Sequence, residues 1–181
     1  MEFSPTIIIA VLLIVIVGAV LGWFFARRVH ASKLKDRYGE DEYAHTVSAR
    51  GKNAAHSEMD GRKKHVDSLK IHELTQEERD QYYAEWSEVQ SNFVDEPGEA
   101  IIGADRLIQN VMRQRAYPVS DFEQRASDLS VTYPALVSNY RAARLITLKQ
   151  ERGEASTEEL REAMIHYRSL FDELLGTEEE I

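Results

Sequence analysis

Apolar residues follow two regimes along this chain of 181 residues. From Ile7 to Ala26 they are continuous, reading IIIAVLLIVIVGAVLGWFFA, inside an uncharged run that begins at Phe3. Past Arg27 they recur at intervals of three and four among many charges. The first regime predicts a transmembrane helix. Twenty residues rise about 30 Å as a helix, the depth of a bilayer's hydrocarbon core. Fourteen of the twenty are Ile, Leu, Val or Phe, and their transfer favours insertion by several kcal/mol.

The second regime predicts amphipathic helices. From Val29 to about Lys70 the apolar positions are sparse: Tyr43, Val47, Ala54, Met59, Val66 and Leu69. A short helix reaches Tyr38 with Gly39 as its stop, and a longer one runs from Glu40 to Leu69, weakened at Gly51 and Gly61. So thin a stripe suits a helix that packs lightly on a neighbour or a solvated stalk. It lacks the sustained a and d positions of a coiled coil.

After Leu74 the stripes widen. Thr75 with Glu78 is a capping box, and Tyr82, Trp86, Val89 and Phe93 follow on one face. Asp95-Glu96-Pro97-Gly98 breaks this helix. The next carries Ile101, Ala104, Leu107, Ile108, Val111 and Met112 and ends before Tyr117-Pro118. Ser120 with Glu123 opens a short helix with Phe122, Ala126 and Leu129. Pro134 then stands in the first turn of a helix carrying Leu136, Val137, Tyr140, Ala143 and Leu148. Ser156 to Glu159 starts the last helix, whose Leu160, Ala163, Met164, Tyr167, Leu170, Phe171, Leu174 and Leu175 keep the helical period up to Gly176. No useful stretch alternates apolar and polar residues as a half-buried strand would.

The expected fold is therefore all-α: one N-terminal transmembrane helix, a polar helical stalk and a compact bundle of about five helices. The divisions are a short flank at 1–6, the span at 7–26, a basic polar stalk at 27–73, a bundle domain at 74–176 and an acidic tail at 177–181.

Charge gives the span a direction. Arg27, Arg28, Lys33, Lys35 and Arg37 crowd its C-terminal side, and no Lys or Arg precedes it. The positive-inside rule then puts the N-terminus outside and the rest in the cytoplasm. A cleaved signal peptide is the competing reading. The missing basic n-region and the length of the apolar run argue against it. Trp23, Phe24 and Phe25 suit a membrane-interface belt beside Arg27 and Arg28. Gly18, Gly22 and Ala26 repeat every four residues, a spacing that lets two such helices pair into a homodimer, although glycine is also simply common in membrane helices.

From Arg27 to Lys70 there are eleven Lys/Arg against seven Asp/Glu, a net of +4. From Ile71 to Ile181 there are eleven against twenty-three, a net of −12. An acidic distal domain is a poor surface for nucleic acid, whose phosphates need cations. Cysteine is absent, which excludes disulfides, thiolate catalysis and Cys-ligated zinc. His30, His45, His56, His65 and His72 lie seven to fifteen residues apart and form no metal-binding pair, so neither a metal nor another cofactor is expected. Phosphate-binding glycine loops and the nucleophile-elbow motif are missing. Glu162, His166 and Arg168 come nearest to a reactive constellation, and the i, i+4 spacing of Glu162 and His166 reads as a surface pair. Tyr82, Tyr83, Trp86, Tyr140 and Tyr167 read as core before pocket.

Several longer patterns carry a resemblance: Trp86-x-x-Val89-Gln90-x-x-Phe93-Val94-Asp95-x-Pro97, Ala104-Asp105-Arg106-Leu107, Tyr117-Pro118-x-x-x-Phe122-Glu123-Gln124-Arg125-Ala126, Tyr140-Arg141-x-Ala143 and Tyr167-Arg168-x-Leu170-Phe171. Over about residues 34–175 the chain resembles a family of small bacterial proteins with an N-terminal membrane or signal-like segment and a helical C-terminal domain. The resemblance implies a shared fold and no activity. The functional expectation is thus an interaction or scaffold module held at the cytoplasmic membrane, with the lipid bilayer and a protein as partners. A membrane-bound enzyme with a site assembled between helices, or an extracytoplasmic envelope scaffold, are the alternatives.

Overall fold

Helix stops and starts in the sequence divide the structure, a computed structural model describing residues 32–176, into eight helices with no strand among the described residues. These are α1 (its described part at 32–38), α2 (Glu40–Arg50), α3 (Lys52–Ser68), α4 (Gln76–Asn92), α5 (Pro97–Gln114), α6 (Phe122–Thr132), α7 (Val137–Glu151) and α8 (Thr157–Leu175). Among the described residues no helix is long and apolar enough to cross a membrane. The expected span Ile7–Ala26 lies outside the described residues, and so does the tail 177–181.

The all-α expectation holds, but the bundle is corrected from about five helices to eight. Five of them, α4 to α8, build the main core. Ile101, Ala104, Ile108, Val111 and Met112 of α5 share one buried cluster with Tyr167, Leu170, Phe171 and Leu174 of α8, joined by Leu129 of α6 and Tyr140 and Ala143 of α7. Trp86 of α4 stacks on Phe171, ring centroids 4.8 Å apart, and Tyr83 meets the same ring edge-on. Such a pair adds about 1 kcal/mol to the area it buries.

The other three helices contradict the solvated-stalk alternative. Gly51, at φ +77°, breaks the expected Glu40–Leu69 helix into the hairpin α2–α3. Gly61 leaves α3 uninterrupted. Leu34, Tyr38, Tyr43 and Met59 form a second, smaller core capped by Val47 and by Val131 of α6. The Tyr38 hydroxyl donates to the Met59 carbonyl at 2.7 Å. Ala55 rather than Ala54 takes the buried place in α3. Of the two readings that the thin stripe allows, light packing on a neighbour is the one observed, with few large apolar side chains and polar contacts beside them.

Helix ends show how local chemistry set the boundaries. Thr75 and Ser156 each close a reciprocal capping box, with Glu78 and Glu159. The α6 cap is shifted by one residue from the expected Ser120. Asp121 accepts from the Gln124 N–H at 2.9 Å. Pro97 opens α5, whereas Pro134 lies in a turn and α7 begins three residues later at Val137.

Candidate functional site

The residues with most chemistry lie where α2 and α3 meet α6 and α7. Arg62 sits one turn after Met59 and one turn before Val66, inside the apolar stripe of α3, so its guanidinium is carried inward. Glu42 and Thr46 stand one turn apart on α2 and face it. Arg62 Nη1 donates to Glu42 Oε1 at 2.6 Å and to Ser130 Oγ at 3.2 Å. Its Nη2 donates to Thr46 Oγ1 at 3.1 Å and to Glu58 Oε1 at 2.9 Å. On α7, Arg141 donates from Nε to Glu42 Oε2 at 3.2 Å and from Nη1 to Glu123 at 2.5 Å. Glu42 is thus held between two guanidinium groups at 2% exposure, which suffices for a carboxylate because a buried charge needs paired and hydrogen-bonded partners. Burial lowers the affinity of Arg141 for its proton, but Glu42 and Glu123 outweigh it and raise the pKa above the ordinary value.

This network floors two shallow clefts of about 380 and 290 Å³ that share Arg50, Glu58, Arg62, Glu123 and Ser127. Their charges neutralise one another: Arg50, Arg62 and Arg141 answer Glu42, Glu58 and Glu123. Chemically, the arrangement fastens helices. Glu42, Glu58 and Glu123 each already accept a hydrogen bond from an arginine.

A second polar group crosses the main core. Asp105 lies in the apolar stripe of α5. Its Oδ1 accepts from the Tyr167 hydroxyl at 3.0 Å, and its Oδ2 accepts from Gln109 at 2.8 Å and Arg144 at 3.1 Å. Thr147 Oγ1 lies 2.8 Å from the same hydroxyl. Burial first, then the Asp105 charge, pushes the Tyr167 phenol far above its usual range, so Tyr167 acts as a donor strut across α5, α7 and α8. Arg125 donates to the Tyr140 hydroxyl at 3.2 Å and to the Val119 carbonyl at 2.7 Å.

A third feature is a groove of about 420 Å³ between α4 and α8, lined by Trp86, Gln90, Met164, Ile165, Arg168 and Ser169. Ile165 is 60% exposed at its edge, and the Arg168 guanidinium lies over the Trp86 ring at 5.5 Å.

The expected site residues divide as follows. The interface belt Trp23, Phe24, Phe25, Arg27 and Arg28 and the pairing face Gly18, Gly22 and Ala26 lie outside the described residues. Glu162 and His166 approach to 3.5 Å, while Arg168 turns to Asp172 at 2.8 Å, so the three do not converge. Trp86, Tyr140 and Tyr167 are core residues, and Tyr82 and Tyr83 are partly buried against that core. Among the described residues no group of three or more His, Asp or Glu could hold a metal ion. Sequence reading passed over Glu42 and Asp128 and quotes Asp105 only within the resemblance; the run Arg62-Lys63-Lys64 reads as a solvated charged face, whereas Arg62 is buried. For Arg62 and Asp105 a signal existed: each is a charged residue in register with an apolar stripe. No family model matches the chain, and no curated protein and no solved structure does either.

Proposed function

We propose that the chain is a single-pass membrane protein whose helical bundle recruits or organises a protein partner at the cytoplasmic face of a cell membrane. The observation that carries this reading is the uncharged stretch Ile7–Ala26, followed at once by Arg27-Arg28. A tether of this kind raises the local concentration of a binding module, so weak contacts become effective. Glu42, Glu58 and Glu123 of the polar cleft are engaged by arginines, an arrangement that suits a binding module. The groove beside Ile165, where Met164 and Ile165 stand beside Gln90, Arg168 and Ser169, is an accessible surface that such a partner could use. The Arg27–Lys70 part, net +4 and containing α1–α3, favours anionic head groups, while the −12 remainder is repelled by them. Fusions to the C-terminus test the reading. A reporter that works solely in the cytoplasm is expected to be active, and activity confined to a reporter that works outside the membrane would overturn the orientation.

A further inference from the structure

The helices α1–α3 join the rest of the bundle through a seam unlike the main core. Their small apolar cluster reaches the bundle at Val131, and most of the seam is polar. In its α2–α7 half each charge has an opposite partner. The α3–α6 half contains Asp128, whose side chain is 0% exposed. Asp128 Oδ1 accepts one hydrogen bond, from Gln124 of its own helix at 2.8 Å, and Oδ2 has no hydrogen-bond partner. Across the seam, His65 Nε2 stands 3.6 Å from Oδ1, on a side chain that is 44% exposed and open to solvent protons. The charged and titratable groups that act on Asp128 are His65 and Arg62 of α3, and Tyr117 in the α5–α6 connection also feels its charge. Arg62 is already engaged by Glu42, Glu58, Thr46 and Ser130.

We propose that the α3–α6 seam is a proton-sensitive latch: it seats α1–α3 on the bundle while the buried Asp128 carboxyl is neutral, and it loosens when Asp128 carries a charge that its single hydrogen bond does not satisfy. A buried carboxylate with one free oxygen is costly, and a neutral carboxyl far less so. Burial is the dominant influence and raises the Asp128 pKa, and Gln124, His65 and Arg62 pull it down without cancelling that. A raised pKa means that the seated form holds the proton more tightly than the released form does. Its contribution to seating is complete at acid pH and is lost as pH rises through the raised value.

The chain has no cysteine, so two spin labels can be placed without a background. Lys64→Cys on α3 and Leu145→Cys on α7 are exposed positions, and the full-length protein is studied in phospholipid nanodiscs. One narrow distance is expected at the acid end of a series from about pH 4 to about pH 8, and a longer, broader distribution as pH rises past the raised carboxyl range of Asp128. Asp128→Asn is expected to stay narrow throughout the series. An unchanged distribution in the parent, or the parent's pH response persisting in Asp128→Asn, overturns the proposal. Should Asp128→Asn misfold, hydrogen exchange of the parent decides. Protection in α3 is expected to fall relative to α8 by up to about tenfold for each unit by which the Asp128 pKa is raised, and equal change in both helices overturns the latch.

Discussion

Ala116 holds φ +66° at the end of α5, the one non-glycine residue with positive φ among the described residues. The Tyr117 N–H reaches the Met112 carbonyl at 2.9 Å and the Ala116 N–H reaches the Arg113 carbonyl at 3.0 Å. That is the Schellman pattern with alanine in the place that glycine usually fills. The left-handed conformation strains a Cβ, so Ala116→Gly is expected to raise stability by about 1 kcal/mol, read from urea unfolding. Glu42 acts in the opposite direction. Its removal leaves Arg62 and Arg141 facing each other in a poorly solvated seam, although Glu58 and Glu123 remain as partners. Glu42→Ala is expected to cost about 3 kcal/mol. Glu42→Gln, which keeps the shape and loses the charge, is expected to fall between that variant and the parent. Equal stability of all three would remove the idea that this carboxylate fastens the seam.

At the scale of an element, α8 shows how a helix start sets pH behaviour. Glu159 accepts from Lys149 at 2.5 Å and from the Ser156 backbone N–H and hydroxyl, each at 2.9 Å. Lys149 first, then Ser156, lowers the Glu159 pKa to about 2. A depressed folded-state pKa gives stability that is present above the ordinary carboxylate range and is lost as pH falls toward about 2. Thermal melts across that range are expected to fall more steeply for the parent than for Glu159→Gln. Parallel curves would mean that the box contributes nothing measurable. The same reciprocal bonds at Thr75 and Glu78 start α4, so the two helices that enclose Phe171 are both locked at their N-termini by residues read directly from the sequence.

For the whole molecule, the proposed reading would give the anchor and the bundle separate solvents. Gly18, Gly22 and Ala26 would form the pairing face of the span. Gly18→Ile combined with Gly22→Ile is expected to weaken self-association in a membrane reporter assay. Association at the parent level would leave the anchor without a pairing role. The polar seam adds a second consequence of scale: helices α1–α3 connect the basic end of the chain to an acidic bundle through charges rather than a continuous core. Movement at that seam would change how the bundle is presented without unfolding either core.

The sequence by itself determined what neighbours along one helix can decide. Periodicity identified Trp86, Ile108, Tyr140, Tyr167 and Phe171 as core, and capping residues marked the starts of α4 and α8. Boundaries slipped where two signals competed, as at Ser120 and Asp121, or where Pro134 entered a turn instead of a helix. Tertiary structure alone decided that α1–α3 dock. Their stripe is too thin to announce burial, and the contacts that bring them in join residues far apart: Arg62 with Glu42 across 20 positions, Arg62 with Ser130 across 68 and Arg141 with Glu42 across 99. A charged residue reads as a surface residue until its partner is in place, because pairing is what makes its burial affordable.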